Sequence, residues 1–412
     1  MINESFIRIV STTASDDSNF KGRRVLFINS VNPIRMPFVS QQINLLENHG
    51  IDIRVITRVA EPDSQRDPSV VYDGFLSKPP PFFGRLASFV YTEIRAMFDP
   101  TFKKFIWDVS DREKLGRVTG SKRVYHWTKI LKELKSWRPE LIHAHFAWHL
   151  PFAIPLGEYL DVPVICTAHH SDIYFEDDWA ENLMHPRVRE VISIAESVHG
   201  YMMEHCPKLE SKTTLIYNPI NPEFLAPIVP RPAARRILNV ASFKSIKNQR
   251  WLVRALAVLN ARHEAFHCDF VGVGEEQQSV QRLAFDLGIS DRITFHGFKA
   301  HSDVMDLMDS ANVFVLSSES EGLPTVVTEA LARGLAVVAT DLPSTRDATA
   351  QGKFGDLVAL NDDNALAECI SRVLNGTNNG ERKTTARRWV EAEFSHDAHW
   401  KKLRPIYLRV VS

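Results

Sequence analysis

Two carboxylates flank a glycine turn that joins an apolar run to an amphipathic segment. Glu321 precedes Gly322, and seven residues separate Glu321 from Glu329. The apolar run 313–316 predicts a strand, and Pro324 suits the first turn of a helix, where a missing N–H has no partner. A helix N-terminus presents free N–H groups and a positive dipole end, which together favour a phosphate. Carboxylates beside it can accept hydrogen bonds from sugar hydroxyls, so this stretch predicts a site for a phosphorylated sugar.

Two lysines offer positive charge to such a site. Lys244 and Lys247 follow the predicted strand 236–240, and ligands bind beyond the carboxyl ends of parallel strands. When a sugar leaves a nucleotide, the negative charge on the departing diphosphate must be stabilised. The sequence contains no Asp-x-Asp pair that would hold a metal for this purpose. It therefore predicts chemistry without a metal; the alternative is that both lysines belong to an ordinary exposed loop.

Five histidines follow strands predicted in the N-terminal half: His143, His145, His149, His169 and His170. Imidazoles suit zinc. However, none of these five histidines belongs to an HExxH motif, and the pair His145 and His149 has no obvious third ligand. We predict no metal site, and no cofactor beyond a nucleotide-sugar co-substrate.

The context of the two glutamates, EGLPTVVTEALARG, resembles the glutamate pair of retaining glycosyltransferases of family 4. The resemblance covers most of the chain and is closest from Ile237 to Leu374. It implies the GT-B fold, in which two Rossmann-like domains with parallel sheets face each other across a cleft. It also implies transfer of a sugar from a nucleotide-diphosphate sugar with retention of the anomeric configuration.

The resemblance further implies roles for single residues. Glu329 would bind the nucleotide ribose, Glu321 the hydroxyls of the donor sugar, and Lys247 the diphosphate. Lys244 would replace a family arginine whose position is occupied by Ser242. Backbone contacts to the donor would come from two loops and from the turn after Glu321: Gly274, Gly297, Phe298, Gly322, Leu323, Pro324 and Thr325.

The acceptor side is predicted from the segment Thr167–Ile173, which resembles the family's Thr-x-His-Gly-x-Asp-Ile. His169 matches the histidine that lies near the reacting sugar, and His170 replaces the usual glycine. Asp172 either anchors this loop or binds the acceptor, and His145 is a second acceptor-side candidate.

Strands alternate with helices along most of the chain, which predicts an α/β protein with parallel sheets. The proline-rich segment 218–232 is the predicted linker. We therefore expect an N-terminal domain over 21–220 and a nucleotide-sugar-binding domain over 233–394, with the helix 396–412 packing back on the first domain. The active site is expected in the cleft between the two domains.

Other segments carry single expectations. Residues 188–195 predict a helix and 197–202 a strand, and the proline-rich segment 61–81 predicts a loop. The loop 30–37 lacks the glycines that many family members have there. Residues 1–20 hold no basic region followed by an apolar one, so they predict a polar leader and no signal peptide.

Composition excludes several classes of protein. The 412 residues carry a formal net charge of −1, which gives no global electrostatic case for binding nucleic acid. The four cysteines are far apart, which argues against a disulfide framework and fits a reducing, cytoplasmic compartment.

The segment 82–107 is rich in aromatic residues interleaved with basic ones. Such a helix can lie on a membrane surface, in keeping with a peripheral location at the inner face of the membrane. Alternatively, the segment forms a helical pair whose aromatic face packs on the core.

We therefore expect a retaining, metal-independent glycosyltransferase whose acceptor is a glycan or lipid-linked intermediate of surface or extracellular polysaccharide. A nucleotide-sugar epimerase with the GT-B fold and a noncatalytic sugar-nucleotide-binding partner are the alternatives. The sequence does not name the sugar, the base, the acceptor or the oligomeric state.

Overall fold

The structure is a computed structural model that describes residues 20–31, 36–59, 70–72, 82–109, 120–228, 235–376 and 380–411. Two β-sheets are flanked by helices. The strands are β1 Arg24–Asn29, β2 Asp52–Thr57, β3 Val70–Tyr72, β4 Leu141–His145, β5 Val164–Ala168, β6 Val188–Ser193, β7 Thr213–Leu215, β8 Arg236–Val240, β9 His267–Val271, β10 Ile293–Phe295, β11 Val313–Leu316, β12 Ala336–Thr340 and β13 Gly355–Val358.

Helices connect most consecutive strands, as expected for parallel sheets. They are α1 Pro37–Asn48, α2 Phe82–Phe98, α3 Pro100–Asp108, α4 Gly120–Leu134, α5 Leu150–Leu160, α6 Ser171–Tyr174, α7 Trp179–Met184, α8 Glu196–His205, α9 Gln249–Ala261, α10 Gln277–Asp286, α11 His301–Ser310, α12 Thr325–Ala332, α13 Pro343–Ala348, α14 Asp363–Leu374, α15 Gly380–Phe394 and α16 His396–Val411. None of the described helices is long and apolar enough to cross a membrane.

Both sheets have doubly wound strand orders. The first runs β3-β2-β1-β4-β5-β6-β7, and the second runs β10-β9-β8-β11-β12-β13. In the second sheet every neighbouring pair is parallel. The chain order reverses direction between β8 and β11, and ligands bind beyond the strand ends at such a switch point.

Each sheet is enclosed by apolar side chains. β4 and β5 are buried along their whole length, as are the apolar residues of β1. In the second sheet, β11 packs with α9 and α14 around a core that includes Phe243, Trp251, Phe270 and Ile370. Such burial on both faces explains why these strands are near-continuous apolar runs without alternation.

The chain forms two compact units. The first comprises the residues up to Thr167 with Glu181–Val191 and Tyr407–Ser412, and the second comprises Ala168–Ala180 and Ile192–Ile406. The domain boundaries 21–220 and 233–394 stay predictions. The end of the C-terminal helix does lie with the first unit, where the Tyr407 hydroxyl hydrogen bonds to His143 Nδ1 at 2.8 Å.

Two predicted elements were assigned in reverse. Residues 188–193 form strand β6, although 188–195 predicted a helix, and 196–205 form helix α8, although 197–202 predicted a strand. β6 is buried at five of its six positions, so its residues do not alternate between apolar and polar. Without that alternation, the sequence pattern does not distinguish a strand from a helix. In α8, Val198 and Met202 are the buried positions, and their spacing of four is helical.

The predicted loop 61–81 is also partly wrong, because Val70–Tyr72 pairs with β2 as a short strand. The rest of that segment, the leader 1–19, residues 32–35 of the glycine-free loop and residues 229–232 of the linker lie outside the described residues.

Candidate active site

The predicted phosphate site is built as a strand, a turn and a helix. β11 ends at Leu316, and α12 begins at Thr325 after the Gly322 turn. Pro324 occupies the position before the helix, and no described side chain caps this end. Val327 N donates to the Pro324 carbonyl at 2.9 Å. The N–H groups of Thr325 and Val326 make no hydrogen bond to a described residue and are available to an anion.

Lys247 and Glu321 form an ion pair at the start of this helix. Lys247 Nζ lies 2.7 Å from Glu321 Oε1, and the two side chains are 22% and 11% exposed. Ser318 Oγ donates a second hydrogen bond of 2.6 Å to the same carboxylate oxygen. Because two donors hold one oxygen, the Glu321 carboxylate is fixed in one orientation.

The loop after β8 places Lys247. Residues Ser245–Lys247 form one 3-10 turn, and Asn248 adopts a left-handed conformation with φ 44° while its side chain caps α9. Ser317 Oγ donates to the Lys247 carbonyl at 3.0 Å, and Glu319 N donates to the Ile246 carbonyl at 2.8 Å. These two bonds join the lysine loop to the glutamate loop, so both sides of the ion pair move together.

Glu329 lies in α12 and is half-buried. Its carboxylate makes no hydrogen bond or ion pair with any residue that the structure describes. Burial raises the pKa of Glu329 from 4.5 to about 7, because an unpaired carboxylate is poorly solvated there. Such a group gains most from a ligand that donates hydrogen bonds, as a ribose hydroxyl does.

Two glycines let a third loop lie on the lysine loop. A Cβ on Gly272 would lie 2.0 Å from the Ala241 carbonyl oxygen, and a Cβ on Gly274 would lie 2.3 Å from that of Phe243. Phe243 N donates to the Val273 carbonyl at 3.0 Å across this contact. Only residues without a side chain permit this close approach.

The predicted acceptor-side loop lies against the donor turn within the second unit. His170 Cβ is 3.0 Å from the position that a Cβ on Gly322 would take. Burial lowers the pKa of His170, opposed by the nearby Glu321 charge. The Asp172 carboxylate is fully buried and accepts hydrogen bonds from the backbone N–H groups of His169 and His170, at 3.0 and 2.9 Å. Asp172 thus anchors the loop that carries both histidines.

The remaining predicted residues are placed as follows. Lys244 is exposed and makes no ion pair with a described residue, and Phe298 is 80% exposed beside Gly297. His145 belongs to the first unit, where its ring stacks on His143 at 4.6 Å. No group of three or more candidate metal ligands occurs among the described residues.

Sequence reasoning missed two serines and the contact made by one histidine. Ser317 and Ser318 hold the backbone of Lys247 and the carboxylate of Glu321, and His170 backs the Gly322 turn. Two serines between an apolar strand and a glycine turn are a weak signal, because hydroxyls there often bond only to local backbone.

Two family models match consecutive parts of the chain. The model described as Glycosyltransferase Family 4 matches residues 38–224, and the model described as Glycosyl transferases group 1 matches residues 224–392. Together they cover most of the chain.

Curated relatives match in part. A glycogen synthase of Mycobacterium tuberculosis is 25% identical over 267 residues, which is 62% of this chain and 64% of that protein. The lipopolysaccharide core biosynthesis glycosyltransferase LpsE of Rhizobium meliloti is 29% identical over 165 residues, 39% of this chain and 46% of its own. The chain thus spans less than two thirds of the length of these relatives.

Solved structures share the fold. Anabaena HepE, determined in complex with UDP and glucose, superposes with a TM-score of 0.64 at 17% sequence identity, over 93% of this chain and 99% of that one. This similarity confirms the predicted α/β class and GT-B fold. From the two family models and this fold, we conclude that the chain belongs to the family 4 type of GT-B glycosyltransferases.

Proposed function

We propose that the protein transfers a sugar, with retention and without a metal, from a nucleotide-diphosphate sugar to a glycan or lipid-linked acceptor in surface polysaccharide biosynthesis. The observation that carries the proposal is the Lys247–Glu321 pair at the uncapped N-terminus of α12. The unpaired Glu329 carboxylate in the same helix supports it, because a ribose would supply the missing hydrogen bonds. The HepE complex with UDP supports uridine diphosphate as the nucleotide part of the donor.

In the proposed complex, the diphosphate lies at the N–H groups of the α12 turn with Lys247 beside it. A lysine and a helix N-terminus both stabilise the negative charge that develops as the anomeric C–O bond breaks. Since Lys247 pairs with Glu321 before the donor binds, its charge is already positioned and the loop needs little rearrangement. Glu321, held by Ser318, then accepts hydrogen bonds from sugar hydroxyls.

Retention is proposed to follow a front-face course. The bond from the anomeric carbon to the phosphate oxygen breaks, and the acceptor oxygen bonds to the same face of that carbon. The proton of the acceptor hydroxyl passes to the departing diphosphate, so the reaction needs no general base from the protein. Glu321 is tied to Lys247 and Ser318, which favours a positioning role for it over a nucleophilic one.

The donor is identified first by thermal shift with UDP-, GDP-, ADP- and TDP-sugars, because a ligand that binds the native state raises its melting temperature. NMR of the product then reports its anomeric configuration, with EDTA present throughout. We expect an unchanged anomer and EDTA-resistant turnover. An inverted product would contradict the front-face course, and loss of turnover in EDTA that added Mg²⁺ restores would contradict metal independence.

A matched pair of variants tests the carrying observation. Glu321→Gln should reduce kcat/KM by about a hundredfold or more, as removal of one preorganised polar contact to the transition state does. Glu319→Gln changes an exposed carboxylate two residues away and should leave it unchanged. Equal activity in both variants would refute the proposed role. Isomerisation of the donor without acceptor would instead indicate an epimerase.

A further inference from the structure

Exposed apolar side chains concentrate on one helical pair of the first unit. On α2, residues Val90, Tyr91, Ile94 and Met97 are 48%, 51%, 54% and 75% exposed. Phe98 ends the helix at 84% exposure. Positions 90, 94, 97 and 98 fall on one face at helical spacing, so the exposed apolar residues form a continuous stripe.

This stripe is not the face that packs on the core. On the opposite side of α2, Thr92 is buried, and Ser88 receives a hydrogen bond of 3.2 Å from Thr128 Oγ1 of α4. The Arg95 guanidinium lies over the Phe102 ring at 4.3 Å and donates to the Tyr159 hydroxyl. These contacts fix the rotation of α2 about its axis, with the apolar stripe outward.

The next helix shows the same division. Phe102, Phe105 and Ile106 of α3 are buried, and the Phe105 ring stacks on Tyr159 at 5.0 Å. The outer face carries exposed Lys103 and Trp107, the latter 75% exposed. An outward tryptophan beside lysine is the composition of a helix that lies in a lipid interface.

The helices around the stripe are strongly basic. Residues 82–109 and 120–138 contain ten Lys or Arg and four Asp or Glu, whereas the whole chain has a formal net charge of −1. Lys103, Lys132 and Lys135 are exposed and make no ion pair with a described residue. Ten basic and four acidic residues give these segments a formal net charge of +6, on the helix that bears the stripe and on the helices that contact it.

We propose that the stripe of α2 and Trp107 of α3 insert into the interface of an anionic lipid bilayer, while lysines of α3 and α4 contact the headgroups. Apolar burial and electrostatic attraction then act together, which a basic surface or an apolar one alone would not provide. Val90, Ile94 and Met97, three of the five exposed apolar side chains of α2, offer no flat ring on which bases stack, which favours lipid over nucleic acid. The stripe belongs to the first unit and the donor-site residues to the second, so the proposal does not depend on the sugar that is transferred.

Vesicle flotation with the full chain tests this surface. The vesicles are phosphatidylcholine alone, or phosphatidylcholine with phosphatidylglycerol, at low and high salt. We expect binding to the anionic vesicles that weakens with salt, and at least about tenfold weaker binding for Met97→Ser/Phe98→Ser, because two inserted side chains are lost. The control Phe285→Ser removes an exposed aromatic side chain of α10, which is 68% exposed, and should bind as the wild type does.

Three outcomes would overturn the proposal. The first is that the wild type does not bind anionic vesicles, and the second is that the Met97→Ser/Phe98→Ser variant binds them as well as the wild type does. The third is that the wild type binds a polynucleotide but not vesicles, and that the variant no longer binds the polynucleotide. Light scattering tests a further contrary outcome. A wild type that is dimeric and does not bind vesicles, with a monomeric Met97→Ser/Phe98→Ser variant, would show that the stripe binds a second copy of the chain. Turnover of a water-soluble acceptor should be equal in wild type and variant, which shows that the variant is folded.

Discussion

At the scale of single residues, the site pairs its charges before any ligand arrives. Lys247 neutralises Glu321, and both are held by serines that follow β11. Two opposite charges in one half-buried place cost less than either alone. Glu329 is the exception, because no described residue pairs with its carboxylate. Its raised pKa should therefore appear as a dependence of stability on pH.

Replacing Glu329 by Gln should stabilise the ligand-free protein at high pH. Its folded pKa of about 7 lies above the value of 4.5 that we take for the unfolded chain, so the wild type loses stability as pH rises between these values. Gln does not titrate. We expect Glu329→Gln to gain about 2 kcal/mol in unfolding free energy at pH 8 relative to its gain at pH 5. Urea denaturation at both values measures this, and an equal gain at both would contradict the raised pKa.

The contact between His170 and Gly322 should be visible as a coupling energy. Gly322→Ala places a Cβ 3.0 Å from His170 Cβ, which forces the donor turn or the histidine loop to move. We expect weaker nucleotide binding, by about tenfold, and recovery of most of it in Gly322→Ala/His170→Gly, since glycine leaves the space open. Calorimetric titration of the four proteins with UDP measures the cycle. Additive effects would show that the two loops do not influence each other.

At the scale of elements, glycine spacing sets how closely the loops after β8 and β9 approach. Gly274→Ala would bring a Cβ within 2.3 Å of the Phe243 carbonyl oxygen, a backbone atom that cannot rotate away. We expect a loss of about 2–3 kcal/mol in stability by denaturation. Gly200→Ala is the control, because open space surrounds Gly200 in α8 and alanine favours a helix there. A Gly274→Ala variant as stable as the wild type would show that the loops can separate freely.

The elements that sequence predicts well are those with one dominant signal. β8 and β11 match their predicted bounds, because apolar runs bounded by polar residues at both ends are compatible with one assignment only. The prediction for residues 188–205 was wrong, because a strand buried on both faces shows no alternation of apolar and polar residues and the helix that follows it is short. The close approach of Gly272 and Gly274 to the lysine loop was also beyond prediction, because a sequence does not reveal which backbone atoms will meet.

At the scale of the whole molecule, charge is unevenly divided although the total is near zero. The helices α2 to α4 are basic, so the remaining described and undescribed residues together are acidic. A protein with this division is oriented by an anionic surface, even though its net charge gives no attraction. The total net charge of −1 does not show this uneven distribution. The positions of the helices were needed to distinguish exposed lysines from those in ion pairs.

The C-terminal helix should contribute to the stability of the first unit through one buried hydrogen bond. Tyr407 is 2% exposed, and its hydroxyl bonds to His143 Nδ1, while His143 Nε2 bonds to Thr167 Oγ1 at 2.7 Å. Tyr407→Phe keeps the ring and removes the hydroxyl, so a buried imidazole nitrogen loses this partner at a cost of about 1–2 kcal/mol. The control Tyr125→Phe removes a hydroxyl that makes no hydrogen bond to a described residue and should cost almost nothing. Denaturation of both variants decides the point, because equal stability would mean that the helix end is held by its apolar contacts alone.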